Sequence, residues 1–165
     1  MQSTRRGTWA LRGKTPVQRV AGPRKHVSVI SAITVSPRQL RLGLYFQTYH
    51  KAVSTEEAFE FMRSMRRSLR RKVIFVLDRL SVHRSAARQM LERFGRSVCF
   101  EWLPPYAPEL NPCEGIWNHG KNVQLGNFPF ADAKHLDNEV TNALCGQRSR
   151  QSLLRSFFAY ARLRL

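Results

Sequence analysis

The stretch VIFVL, Val73 to Leu77, decides how the chain folds, and an aspartate, Asp78, follows it directly. A short, wholly apolar run of this kind is typical of a central strand that is covered on both faces of a sheet. In open α/β sheets, ligands and catalytic groups gather at the carboxyl ends of strands, so Asp78 stands where a functional carboxylate is expected. The alternative is an aspartate that only forms a turn or caps the next helix.

The segments before this strand predict a hairpin and a helix. HVSVISAITV (residues 26–35) and RLGLYFQTY (residues 41–49) are rich in β-branched and aromatic residues, which indicates two antiparallel strands. Ser54 and Glu57 have the spacing of a capping box, which opens a helix expected to run to about Arg71.

The segments after the strand continue the alternation of helix and strand. We expect a helix closed by Gly95, a strand over residues 97–103, a helix from about Pro112, and two C-terminal helices over residues 132–145 and 151–163. This order predicts a single α/β domain over residues 1–165, with a mixed sheet flanked by helices.

Composition restricts the partners of the protein. The 28 Lys and Arg residues outnumber 11 Asp and Glu residues, and a formal net charge of +17 indicates a polyanionic partner, most simply nucleic acid. Three widely spaced cysteines without a CxxC pair argue against a disulfide framework or a structural zinc site. No signal peptide and no membrane-spanning stretch is recognisable, so we expect a cytoplasmic protein with no membrane partner.

One face of the first helix carries arginines without interleaved acids. They recur at spacings of three and four residues, at Arg63, Arg66, Arg67, Arg70 and Arg71. Two interpretations remain open, a solvated helix surface or a surface that contacts nucleic-acid phosphates.

A second carboxylate follows a stiff loop. WLPPYAPELNPCEG, Trp102 to Gly115, contains four of the eight prolines and places Glu114 three residues after Asn111. Asn111 at a helix N-cap would let Glu114 complete a capping box, which explains the glutamate without catalysis. Paired with Asp78, it can instead hold Mg²⁺ or Mn²⁺, the oxygen-liganded ions that serve in phosphodiester cleavage and strand transfer.

Two segments resemble the second and third catalytic blocks of DDE transposases of the mariner-type superfamily, in its bacterial insertion-sequence branch. They are VLDRLSVHRS (Val76 to Ser85) and WLPPYAPELNPCEGIW (Trp102 to Trp117), and 35 residues separate Asp78 from Glu114, as in that superfamily. GTWALRGKTP near the start and LLRSFFAYARL near the end also resemble the family, so the likeness covers nearly the whole chain.

The resemblance implies an RNase H-like fold with Asp78 and Glu114 as catalytic metal ligands for Mg²⁺ or Mn²⁺. His83 matches the family's histidine and is either an ordering residue of the site or a local hydrogen-bonding residue. Arg79 departs from the family's usual asparagine after the aspartate. Tyr106, in the proline loop, is a candidate for stacking on DNA.

The resemblance also implies a third acid, on a first strand that the chain does not contain. Residues 1–55 have no Asp or Glu. We therefore expect an N-terminally truncated transposase domain that also lacks the helix-turn-helix region, is inactive alone, and acts with an upstream fragment. Its DNA partners would be transposon ends and target, bound by a homodimer at the bacterial nucleoid. A decayed remnant and a frameshift partner fit equally.

Two other functions stay open. A non-catalytic basic DNA-binding protein needs only the positive surface, and it would bind DNA regardless of Asp78 and Glu114. Another RNase H-like nuclease, such as a resolvase, would share the fold and the metal chemistry but not strand transfer.

Overall fold

The computed structural model describes residue 7 and residues 9–14, 26–38, 41–127 and 130–165. Its first element is an antiparallel hairpin of β1 (Ser28–Val35) and β2 (Leu42–Tyr49), with Ser28 opposite Tyr49 and Val35 opposite Leu42. The predicted hairpin is therefore confirmed. Of the segment near the start that resembles the family, residue 7 and residues 9–14 are described and contain a turn but no helix or strand, whereas residues 8, 15 and 16 lie outside the described residues.

The second pair of strands is parallel. β3 (Val73–Leu77) pairs in register with β4 (Val98–Trp102), and the connection between them contains α2 (Ser81–Phe94). Among the described residues these four strands form two separate two-stranded sheets. The expected mixed sheet is thus present as an antiparallel part and a parallel part, which no described strand joins.

The helices follow the predicted order. Besides α2 they are α1 (Thr55–Leu69), α3 (Pro112–His119), α4 (Ala133–Arg148) and α5 (Gln151–Tyr160), with a 3₁₀ turn at Pro108–Leu110 and a π turn at Gly120–Gln124. The capping box of Ser54 and Glu57 is formed. Gly95 ends α2 with φ of −52°, a right-handed conformation, so the expected glycine stop does not use glycine's special freedom.

Two buried clusters hold the elements together. One joins the hairpin to α3, α4 and α5 through Leu42, Leu44, Ile116, Leu144 and Leu154 among others. The other packs α1 and α2 against both strand pairs, and it contains Ile30 of β1 and Phe75 of β3. The two sheets therefore share one helical layer. No described helix combines the length and the apolar character needed to cross a membrane.

The expectation that Val73–Leu77 is covered on both faces is wrong for the described residues. Phe75 is 6% exposed against α1 and α2, whereas Ile74 and Val76 are 67% and 60% exposed. Ile and Val favour a strand whether or not their face is covered, so the apolar run fixed the strand but not its surroundings.

Both sheets have an edge without a strand partner in the described chain. The amide of Val73 donates to the Ser97 carbonyl at 3.0 Å, so the amides of Ile74 and Val76 point away from β4. By the same alternation, the odd-numbered amides of β1 point away from β2. The outer edge of β2 differs, because the Gln151 side chain both donates to and accepts from the Leu42 backbone, at 2.8 and 2.9 Å.

Candidate active site

Asp78 lies at the carboxyl end of β3 with its side chain 39% exposed. Its Oδ1 accepts from the Leu80 amide at 3.1 Å and lies 2.5 Å from Nδ1 of His83. The local turn expected as the alternative is therefore formed. It occupies a single oxygen, since Oδ2 has no hydrogen-bond partner in the described chain. His83 thus lies against Asp78 and orients it.

Glu114 lies in the first turn of α3. Asn111 is the N-cap, and its Oδ1 accepts from the Cys113 amide at 3.0 Å. The predicted capping box does not form, because the Glu114 carboxylate accepts no hydrogen bond from any described residue. Acidic residues are favourable in the first turn of a helix, next to the positive end of its dipole. Capping therefore does not account for Glu114.

The two carboxylates line one cavity of about 390 Å³ between the end of β3 and the proline loop. Tyr106 stands on its rim with the ring fully exposed and a left-handed φ of 57°. Arg79 also lines the cavity, and its Nε donates to the Leu103 carbonyl at 3.2 Å. Where the family has asparagine, this chain therefore ties the end of β3 to the end of β4.

The thiol of Cys113 connects this cavity to the open edge of β1. Burial raises the pKa of the Cys113 thiol to about 11; the backbone amide of Ile33 opposes the shift, while the charges of Glu114 and Asp78 add to it. Because Ile33 is an odd-numbered residue of β1, its amide belongs to the unpaired edge. The residue before Glu114 thus lies at that edge.

Glu114 also faces a second cavity, of about 280 Å³, together with Val29, Trp117 and Lys121. The Lys121 side chain is exposed two helical turns after Glu114. Sequence reasoning missed Lys121. The signal that could have revealed it is the spacing of Glu114, Trp117 and Lys121 at i, i+3 and i+7, which places all three on one helix face.

The arginines of α1 lie elsewhere. Arg63 pairs with Glu60 at 2.5 Å. Arg66 is turned inward, with its guanidinium 4.2 Å from the centre of the Phe94 ring and hydrogen-bonded to Ser97 Oγ at 3.4 Å. Arg67, Arg70 and Arg71 are exposed at the end of α1, just before β3 begins, and none of the five arginines lines the cavity of the two acids.

Asp78 and Glu114 offer carboxylate oxygens as ligands to a divalent cation. Asp78 Oδ2 and the Glu114 carboxylate accept no hydrogen bond from any described residue, both residues line the same cavity, and hard oxygen ligands suit Mg²⁺ and Mn²⁺. Within the described ranges, no cluster of three or more His, Cys, Asp or Glu side chains is placed to hold a metal. The two acids fit as part of a ligand set.

Comparisons with known proteins show the family and the fold class. The family model described as DDE superfamily endonuclease matches residues 1–137. The fold is similar to a chain in the crystal structure of the Mos1 strand transfer complex, with a TM-score of 0.61 at 16% identity, covering 98% of this chain and 48% of that one. The chain thus spans about half the length of that relative, and the likeness confirms the RNase H-like class. No curated protein matches the chain in sequence.

Proposed function

The chain belongs to the DDE superfamily of endonucleases, and from that premise we propose that it is the catalytic-domain part of a bacterial insertion-sequence transposase. Its reaction is metal-dependent DNA strand cleavage and strand transfer. One observation carries the proposal: Asp78, at a strand end, and Glu114, at a helix start, line one cavity. Asp78 Oδ2 and the Glu114 carboxylate accept no hydrogen bond from any described residue.

Asp78 and Glu114 would hold Mg²⁺ or Mn²⁺. When bound, such ions activate the attacking water or 3′-hydroxyl and stabilise the leaving oxygen. His83 and the Leu80 amide hold one oxygen of Asp78, and the other oxygen has no hydrogen-bond partner among the described residues. Tyr106 offers a ring to a base, and Lys121 offers a cation to a phosphate near Glu114.

Asp78 and Glu114 are the only acids among the described residues that line the cavity, and residues 1–55 contain no Asp or Glu, so the proposal includes a third carboxylate from outside the 165 residues. We propose that it arrives on a β-strand that inserts between the open edges of β1 and β3, on the same longer chain or on an upstream fragment. The nearness of Cys113 to the Ile33 amide and to both carboxylates supports this location. These residues alone are accordingly inactive.

The same proposal names the partners. The net charge of +17 suits double-stranded DNA, here transposon ends and target, and transposition at two ends suits a homodimer on DNA. Its place is the nucleoid in the bacterial cytoplasm.

The test supplies the missing strand. A fragment carrying an acid-containing strand is added to or fused with the chain, and nicking of DNA bearing the element's ends is measured with Mg²⁺ or Mn²⁺. We expect cleavage that depends on the fragment and is lost in Asp78→Asn and in Glu114→Gln. The control is Glu92→Gln, an exposed acid of α2 outside the cavity. Cleavage that survives both cavity substitutions would overturn the proposal.

A further inference from the structure

Exposed basic residues collect at the end of the parallel strand pair opposite Asp78. We call this surface the basic end, and it consists of Arg67, Arg70, Arg71, Lys72, Arg93 and Arg96. We infer that the basic end is a second DNA-binding surface. It binds the phosphates of a duplex segment that is separate from the DNA segment at Asp78 and Glu114. The inference rests on the proposed function for DNA as the partner, and it concerns a different part of the molecule.

The fold builds this surface from two turns held together. α1 and α2 both end here, and the amide of Val73 donates to the Ser97 carbonyl at 3.0 Å, which joins the turn after α1 to the turn after α2. Arg66 also connects α1 to the end of α2, since its guanidinium lies over the Phe94 ring and donates to Ser97 Oγ. Arg66 therefore serves the shape of the basic end rather than its exposed charge.

The six cations are not neutralised within the described chain. None of them lies within ion-pairing distance of a described carboxylate, and Glu92, the acid nearest to Arg93 in sequence, forms no ion pair. Elsewhere in the structure cations do find acids, as the exposed Lys51 and the partly buried Arg63 do. An uncompensated cluster of like charges opposes compaction, so a polyanion that covers it restores a favourable balance.

Stabilisation of helix dipoles explains only part of this cluster. Cations in the last turn of a helix interact favourably with its negative end, which accounts for Arg67 in α1 and Arg93 in α2. Arg70, Arg71, Lys72 and Arg96 lie beyond the last turns, where that effect has fallen off. The side chains of these four residues form no hydrogen bond or ion pair with any described residue, so they can meet phosphates.

The length of β3 separates the two surfaces. Six residue steps lead from Lys72 to Asp78, which at about 3.3 Å each gives about 20 Å. With base pairs about 3.4 Å apart along the duplex, about six base pairs fit into that distance. The phosphates held by the basic end are therefore distinct from those at the acids, whether on the same duplex or on a second one.

The first experiment measures DNA binding without cleavage, in EDTA and in an Asp78→Asn, Glu114→Gln background. Arg70→Gln, Arg71→Gln and Lys72→Gln together are compared with a control triple of exposed cations elsewhere, Arg84→Gln, Arg88→Gln and Lys134→Gln. Both triples lower the net charge of +17 equally. We expect the slope of log affinity against log salt to fall by about 2 to 3 units for the first triple and much less for the control. Equal slopes for the two triples would overturn the inference.

The second experiment locates the contact. A DNA-cleaving iron chelate is attached to Arg96→Cys and, separately, to Tyr106→Cys, both in a Cys99→Ser, Cys145→Ser background that removes the exposed native thiols. The two probes should cut the duplex at sites at least about six base pairs apart or on different duplexes. Cuts at the same site from both probes, or preferential binding of RNA or of an acidic protein at the basic end, would contradict the inference of a second DNA-binding surface. Neither experiment needs nicking activity, so both can be interpreted even if the chain shows no DNA cleavage.

Discussion

At the scale of single residues, Tyr106 combines two properties that stability alone does not favour. Its backbone is left-handed, with φ of 57°, and its ring is fully exposed on the rim of the cavity of the two acids. A left-handed conformation costs a non-glycine residue about 1 to 2 kcal/mol. A strained residue that buries nothing and borders a site is a candidate for function.

Two substitutions separate strain from function at Tyr106. Tyr106→Gly relieves the backbone strain, whereas Tyr106→Ala keeps it, so the glycine variant should exceed the alanine variant in free energy of unfolding by about 1 kcal/mol in urea titrations. Both lose the ring and should weaken DNA binding equally, as measured by fluorescence anisotropy. If the alanine variant binds DNA like the unmodified protein, the ring has no part in binding.

The same scale shows what single residues in a sequence can reveal. The places of Asp78 at a strand end and of Glu114 at a helix start were predictable, because an apolar run and an N-cap followed by proline have clear local signatures. Two features were not recognisable: that Glu114 leaves its capping box open, and that Arg66 turns inward onto Phe94. Arg66 turns inward toward partners about 30 residues further along the chain, to which helix periodicity is blind, and the capping-box spacing at Glu114 does not reveal whether its hydrogen bond forms.

At the scale of elements, the position of α3 depends on its close approach to α5. A Cβ atom on Gly115 would lie 2.5 Å from Cδ1 and 3.0 Å from Cβ of Phe157, a ring that is 7% exposed. Gly115→Ala should therefore destabilise the protein by about 1 to 3 kcal/mol, less the roughly 1 kcal/mol by which alanine favours a helix. Urea unfolding measures the difference.

A control for this change lies in α4. Gly146 is exposed, and a Cβ there would meet nothing closer than 3.9 Å, so Gly146→Ala should be neutral or stabilising by up to about 1 kcal/mol. In a Phe157→Leu background the cost of Gly115→Ala should shrink. An unchanged cost there would show that α3 does not rest on Phe157.

The carboxylate at the start of α1 should make the free energy of unfolding depend on pH. Hydrogen bonds from Lys51 and then Ser54 lower the pKa of Glu57 to about 2 from an ordinary 4.5. The ionised carboxylate therefore stabilises the fold fully above pH 4.5, and that contribution is lost as the pH falls toward 2. Glu57→Gln should be less stable than the unmodified protein at neutral pH, with a gap that closes below pH 4.5 in urea titrations. A gap independent of pH would mean that the charge is not involved.

Elements were predictable where their signals are local. The capping box of α1, the run Val73–Leu77 and the Asn-Pro start of α3 all lie within a few residues, and each element formed as expected. The division of the sheet and the exposure of Ile74 and Val76 were not predictable, because pairing and coverage depend on elements distant in sequence or outside it.

At the scale of the whole molecule, the two unpaired edges lead to a prediction about hydrogen exchange. In β3 the amides of Val73 and Phe75 face β4, and those of Ile74 and Val76 face away; in β1 the odd-numbered amides face away from β2. In the chain alone, the rate of amide hydrogen exchange should therefore alternate along β3: fast at Ile74 and Val76 and slow at Phe75. Ile33 should be an exception, because its amide meets the Cys113 thiol.

Adding the acid-bearing strand should remove that alternation. A strand that bridges both edges accepts from and donates to them at once, so protection should rise together at the amides of Ile74, Val76, Val29 and Ser31, while Phe75 stays as slow as before. A scrambled strand of equal composition is the control, and residue-resolved exchange by NMR is the measurement. Protection that appears at β3 but not at β1 would mean that the strand binds one edge and leaves the two sheets apart.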